Sequence, residues 1–351
     1  MRRSRRVRVW VVGFGTVGQW LVRALHVQRT RLRERYALSF ELVGLGNRRD
    51  GFVYSGEGID ARSALRIAAA GGSLRELDGV TGWPSALEGM RATAADVLVE
   101  ASASPAAGGE PGLSHLEEAL GRGIPAVTSN KWPVALHGMR LMELARSRST
   151  FLRAESTVMS GTPVLSTLSD GLAGARPTAV RGVLNATANF ILSEMARGTP
   201  YADALAEAQR RGLAERDPGA DVDGHDSVAK LMILAALVLG RQLRTADVTR
   251  RGIASIGDGA IARARSEGLT MKEVATLEPS TTDPGGLIGR LEPRALNSGD
   301  ALARVDGTDT AVICEAEPLG RVMVIGPGAG VELAGQGVLS DLIAVALRQS
   351  S

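Results

Sequence analysis

The sequence predicts an α/β protein in two parts: a mainly parallel sheet with helices on both faces, then a region of α+β character. Three observations predict it. Short apolar runs alternate with helical patterns over residues 1–148, the alternation of βαβ units. The first run ends in a glycine turn that opens a helix. From residue 149 the alternation gives way to polar strand ends, consecutive helices and mixed strands. The expected boundaries are 1–148, 149–320 and 321–351, the last strand and helix returning to the first domain.

Composition bounds the answer. At 351 residues, 44% apolar and 23% charged, the chain is an ordinary soluble globular protein with room for two domains. Aromatics are only 3%, so Leu, Val, Ile and Ala must fill the core. A net charge of +3 does not establish a nucleic-acid partner. The N-terminal MRRSRRVRV lacks aromatic interleaving and is followed by no signal-like apolar region. It reads as a solvated start to the first strand. The one cysteine, Cys314, excludes an intrachain disulfide and fits a reducing cytoplasm. Four scattered His and one Cys do not build a zinc site.

The elements follow in order. Residues 7–12, VRVWVV, are a buried strand. It feeds Gly13-Phe14-Gly15-Thr16-Val17-Gly18 and a helical pattern over residues 19–33. GxGxxG between strand and helix marks a Rossmann-like dinucleotide-binding domain. The first glycine permits the turn, the second admits a pyrophosphate, and the third lets helix and strand pack closely. The helix N-terminus offers free N–H groups to phosphate. Residues 40–45 form the second strand, followed by Asn47, Arg48 and Arg49. An acidic residue there would hold the ribose 2′-OH of NAD; arginines suit the 2′-phosphate of NADP, unless they are merely surface arginines. Residues 50–84 read as an irregular insertion with one helix over 62–70. Residues 96–100 and 125–129 are further strands, and Ser102, Asn130 and Lys131 stand at their C-terminal ends, where open α/β sheets bind ligands. In the second part, residues 181–187 look strand-like, and 189–197 and 201–211 helical. After residue 250 the signals weaken, until a strand at 322–325 and a closing helix over 336–348.

The most informative stretch is 208–239, AQRRGLAERDPGADVDGHDSVAKLMILAALVL. An acidic loop runs into an apolar helix that should be buried but is too short to span a bilayer. Asp226 and Lys230 lie four apart, on one helix face. The plain reading is an ion pair at a helix start. Residue usage adds to it: of 41 basic residues only Lys131, Lys230 and Lys272 are lysine. Arginine would serve an ion pair equally well, so a retained lysine suggests a proton that can leave. Lys272 stands outside every motif and is expected to tolerate arginine silently.

Together these segments resemble homoserine dehydrogenase along almost the whole chain. The likeness rests on GFGTVG at 13–18, VTSNK at 127–131, ESTVMSGTP at 155–163, GVLNATANFIL at 182–192, the 208–235 motif and GPGAG at 326–330. It implies an α+β catalytic and dimerisation domain after the nucleotide domain, a homodimer, and NAD(P)H-dependent interconversion of L-aspartate 4-semialdehyde and L-homoserine in threonine and methionine biosynthesis. It further implies Lys230 and Lys131 at the reacting carbonyl, and Glu215, Asp226 and Thr187 on the substrate. Gly13, Gly15, Thr16, Val17, Gly18, Asn47, Arg48, Ser102, Asn130 and Lys131 would contact the cofactor. A sodium ion would be held by Glu155 and the carbonyls of Val158, Ser160 and Thr162, an oxygen-only set suited to a hard cation. Departures are Ala186 for a usual Gly, Leu213 for a usual Tyr, and VELAGQGVLSDL after GPGAG. The chain stops where some members add a regulatory domain, which implies little threonine feedback. Two other readings stay open: a reductase of a related amino-acid aldehyde, and a non-catalytic NADP-binding regulator.

Overall fold

A computed structural model describes residues 4–281, 283 and 286–349, without the side chain of Asp258. The chain divides into two compact units, 1–157 with 331–351, and 158–330. The expected boundaries at 148/149 and 320/321 are corrected by strand pairing. Residues 152–153 pair within the first sheet, and residues 320–327 pair within the second. Only the closing helix returns to the first unit.

The first unit holds β1 (Arg5–Val12), α1 (Thr16–Val27), α2 (Arg29–Tyr36), β2 (Leu38–Asn47), β3 (Gly51–Tyr54), α3 (Ala61–Ala69), β4 (Thr81–Trp83), α4 (Ala86–Ala92), β5 (Val97–Glu100), α5 (Gly112–Gly121), β6 (Ala126–Thr128), α6 (Lys131–Ser147) and β7 (Leu152–Arg153). Sheet order is β4-β3-β2-β1-β5-β6-β7. Strands β2, β1, β5, β6 and β7 run parallel; β3 pairs antiparallel with β2, and β4 antiparallel with β3. Strand order reverses between β1 and β5, so the loops after these strands flank the crevice where such sheets take ligands. The strands are Val- and Leu-rich because helices cover both faces and leave no polar side.

Three expectations change here. Residues 50–84 are not an irregular insertion: β3 and β4 extend the sheet beyond β2. The helix expected over 19–33 ends at Val27, and α2 then turns Leu32 into the core. Of the N-terminal cluster, residues 1–3 lie outside the described residues. Arg6 is exposed as expected, while Arg5 is half-buried, its guanidinium donating to the Ala346 carbonyl at 3.1 Å and to Gln349 Oε1 at 3.2 Å.

The division falls within α7 (Ser156–Met159). The second unit continues with α8 (Val164–Ser169), β8 (Arg176–Val183), α9 (Ala186–Ala196), α10 (Tyr201–Arg210), α11 (Gly219–Val222), α12 (His225–Leu237), β9 (Val248–Arg250), α13 (Asp258–Ser266), β10 (Thr270–Pro279), β11 (Leu287–Leu296), β12 (Asp309–Glu317) and β13 (Gly320–Pro327). Sheet order is β13-β12-β8-β10-β11-β9, antiparallel except for β9 on β11. Helices α9, α12 and α13 pack on β10. The closing α14 (Val331–Arg348) begins five residues earlier than expected and packs on α1 in the first unit. Among the described residues no helix is long and apolar enough to cross a membrane.

Candidate active site

The first unit builds a cradle from the glycine turn. Gly13 has φ +105°, and a Cβ there would lie 2.2 Å from the Ala101 carbonyl carbon. Only glycine lets the loops after β1 and β5 approach so closely. A Cβ on Gly18 would lie 2.2 Å from the Gly13 carbonyl oxygen, so this glycine seats α1 against the turn. A Cβ on Gly15 would meet nothing within 4 Å among the described residues. Gly15 caps α1 without a side-chain bond, and the first turn, starting at Thr16 and Val17, carries no acidic residue. Open space, free N–H groups and the positive end of a helix suit a phosphate.

At the end of β2 the expected ribose contacts separate. Asn47 Nδ2 donates to the Phe14 carbonyl at 3.0 Å and to Asp50 Oδ2 at 2.8 Å. Its Oδ1 accepts the Arg49 and Asp50 N–H groups at 2.9 and 2.7 Å. Both amide protons and the oxygen are therefore used, and Asn47 braces the glycine turn from behind. Asp50, unnoticed in the sequence, is buried. Burial opposes its ionisation, but hydrogen bonds from Arg49 and Asn47 and the Arg49 charge hold it below the usual carboxylate range. Arg49 is paired with Asp50 at 2.8 Å, whereas Arg48 is exposed and, among the described residues, in no ion pair.

The ends of β5 and β6 form a buried polar network. Glu100 Oε1 accepts the Ser102 N–H at 3.1 Å and also the Ser102 hydroxyl; Oε2 accepts Thr128 Oγ1 at 3.3 Å. His115 Nδ1 lies 3.5 Å from the same carboxylate. Asn130 caps α6, and its Nδ2 donates to Ser104 Oγ at 2.7 Å. Lys131 is the first residue of α6 and half-buried. Ser102 and Asn130 thus shape the loops, with their side chains already bonded.

The second unit gathers the acidic motif around the start of α12. Lys230 is 5% exposed. Its Nζ lies 2.8 Å from Asp226 Oδ2 and donates to the Leu184 carbonyl at 2.7 Å. Asn185, the cap of α9, donates from Nδ2 to Asp221 Oδ1 at 2.8 Å and to Asp226 Oδ2 at 3.4 Å. The expected strand over 181–187 therefore ends at Val183, and Ala186-Thr187 begin a helix. Thr187 Oγ1 donates to the Leu213 carbonyl at 2.7 Å. The contact is made by main chain, so leucine in place of tyrosine leaves it intact. Glu215 lies in the loop before α11, exposed and, among the described residues, in no ion pair. Gly224 caps α12 at φ +81°, where a Cβ would lie 2.3 Å from Leu291 Cδ2.

Of the expected sodium ligands, Glu155 is buried in the first unit, and its N–H donates to Asp341 Oδ2 at 2.7 Å. Val158, Ser160 and Thr162 belong to the second unit. Ser160 adopts φ +53°, and its hydroxyl donates to the Gly328 carbonyl at 3.0 Å. The Thr162 carbonyl already accepts the Val164 N–H at 2.8 Å.

The chain as a whole is similar to known proteins in sequence and in fold. The homoserine dehydrogenase family model matches residues 163–343. An NAD(+)-dependent homoserine dehydrogenase of Pseudomonas canavaninivorans is 35% identical, over 95% of this chain and 94% of its own. The chain belongs to the homoserine dehydrogenase family. A homoserine dehydrogenase of Methanocaldococcus jannaschii is 30% identical over 95% of the chain and 96% of its own. A crystal structure of a putative homoserine dehydrogenase from Archaeoglobus fulgidus superposes with a TM-score of 0.83 at 31% identity, covering 97% of this chain and 99% of that one. A hyperthermophilic archaeal homoserine dehydrogenase in complex with NADPH superposes at 0.81 with 28% identity, over 98% of both chains. The family consists of NAD(P)-dependent oxidoreductases, and both units of the fold agree with membership.

Two buried ionisable residues escaped the sequence reading. Lys272 is not a surface position: it is 2% exposed and donates to Asn189 Oδ1 at 2.9 Å and to the Val305 carbonyl. Its neighbour Glu273 is equally buried. The scarcity of lysine was the available signal, and it applied to Lys272 as much as to the other two.

Proposed function

We propose that this chain interconverts L-aspartate 4-semialdehyde and L-homoserine with NAD(P)H, as a homoserine dehydrogenase of threonine and methionine biosynthesis. The observation that carries the reading is Lys230, buried yet held by Asp226 and the Leu184 carbonyl. Aldehyde reduction needs a hydride, which the nicotinamide supplies when bound. It also needs a proton and positive charge at the developing alkoxide. The Lys230 ammonium serves both, and Asp226 and Leu184 fix its direction. Glu215 and Asp226 suit the substrate α-ammonium, and Thr187 orders the neighbouring turn. Lys131, at the first position of α6, is the second ammonium assigned to the carbonyl.

For the cofactor, Gly13, Gly15 and Gly18 with the α1 N-terminus suit the pyrophosphate. We assign NADP preference to Arg48, which is exposed and, among the described residues, unpaired, whereas Asn47 and Arg49 are already bonded. NAD remains the alternative, since the Pseudomonas relative is described as NAD(+)-dependent. The oxygen donors assigned to sodium carry no step of the reaction. A homodimer and a reducing cytoplasmic setting, which buried Cys314 fits, complete the proposal. Chromatographic detection of homoserine after incubation with the semialdehyde and either reduced cofactor tests it. Absence of homoserine with both would refute it.

A further inference from the structure

Beside the Asp226–Lys230 pair lies a carboxyl that no sequence motif contains. Glu273, on β10, is 2% exposed. Its Oε2 accepts a hydrogen bond from Ser227 Oγ at 2.8 Å, and Ser227 follows Asp226 directly on α12. Oε1 is buried and has no hydrogen-bond partner. It faces the start of α12, where a Cβ on the capping Gly224 would lie 3.5 Å away. Among the described residues no Lys, Arg or His forms an ion pair with Glu273. A carboxylate so placed would be a buried charge with one bare oxygen, an arrangement proteins avoid by neutralising the group. As a neutral acid it still accepts from Ser227 and needs no counter-ion.

We propose that Glu273 is a positioning residue for the reaction: a neutral carboxylic acid that fixes the first turn of α12 through Ser227 and adds no negative charge beside the Asp226–Lys230 pair. This rests on the reading of Lys230 as proton donor. Burial raises the Glu273 carboxyl to about 8, opposed by the Ser227 hydrogen bond and Lys230 and reinforced by Asp226 and Asp221. Those are the charges facing it from α11 and α12; the residue opposite it on β11 is Pro293. Above that pH the new carboxylate sits close to Lys230. It makes the ammonium hold its proton more tightly, and proton delivery slows. Aldehyde reduction therefore falls along an alkaline limb that Glu273 sets.

Glu273→Gln keeps the shape and cannot ionise. At neutral pH it should retain kcat within about twofold, far from the loss of a removed general acid, with KM unchanged. Its alkaline limb should move to higher pH. Infrared difference spectra between neutral and alkaline pH should show a protonated-carboxyl band in the wild type that is absent in Glu273→Gln. The infrared arm requires no turnover, so it tests Glu273 even if the semialdehyde is not the substrate. Should Glu273→Gln fail to fold, Ser227→Ala replaces it; losing the donor should raise the limb further. Superimposable pH profiles for variant and wild type, or no acid band at neutral pH, would overturn the proposal.

Discussion

Lys272→Arg separates a buried, functioning lysine from a surface one. Lys272 is 2% exposed and ties α9 to the segment before β12 through Asn189 and the Val305 carbonyl. Burial lowers its ammonium from 10.5 to about 8, opposed by Asp306 and assisted by Arg197. A difference of that size corresponds to about 3 kcal/mol. Below pH 8 both folded and unfolded chains hold the proton, and the burial penalty is fully present. Between 8 and 10.5 the unfolded chain binds more protons, so stability from this group rises with pH. Arginine keeps its charge throughout that range and never gains this relief. Its larger head also overfills the site, at about 1–3 kcal/mol. The variant should therefore be less stable than wild type at neutral pH, and the gap should widen by about 2–3 kcal/mol on approaching the ordinary lysine value. Urea unfolding followed by far-UV circular dichroism at neutral and alkaline pH measures this. Tryptophan fluorescence would not, because Trp10, Trp20, Trp83 and Trp132 all lie in the first unit. Equal midpoints for the two proteins at both pH values would refute the reasoning.

Two further outcomes follow from the sites. Arg48→Asp should weaken NADPH far more than NADH, since it replaces the one arginine of its turn left unpaired; equal losses in KM for both cofactors would remove Arg48 from the 2′-phosphate. Gly224→Ala should cost about 1–3 kcal/mol from positive φ alone, with a further loss from the collision with Leu291. Its melting temperature and kcat should fall together, and an alanine variant that melts with wild type would show the cap to be dispensable.

Legibility followed local chemistry. The glycine turn announced itself because Gly13 and Gly18 meet main chain that tolerates no Cβ, and such constraints are written in residue type. Asp226 and Lys230 were readable from helical spacing alone. The β10–β11 hairpin was not. Its sequence TMKEVATLEP carries two adjacent charges that strand alternation would send to opposite faces, one of them solvent. In the fold six consecutive residues of β10 are buried, so both faces are covered and both ionisable side chains go inside. Their partners, Asn189 and Ser227, lie 83 and 46 residues away, beyond any local pattern. Asn47 shows the converse: its place after the second apolar run is local, but the count of its hydrogen bonds needed the turn geometry.

Proton delivery by Lys230 during semialdehyde reduction is tested by initial rates of NADPH oxidation by wild type and Lys230→Arg, side by side. Arginine preserves the charge beside Asp226 but cannot release a proton. The account predicts semialdehyde-dependent oxidation by the wild type, a kcat lower by on the order of 10² or more in the variant, and little change in NADPH affinity. No semialdehyde-dependent oxidation by the wild type, or a variant keeping more than about a third of its kcat, well short of a lost general acid, would contradict it.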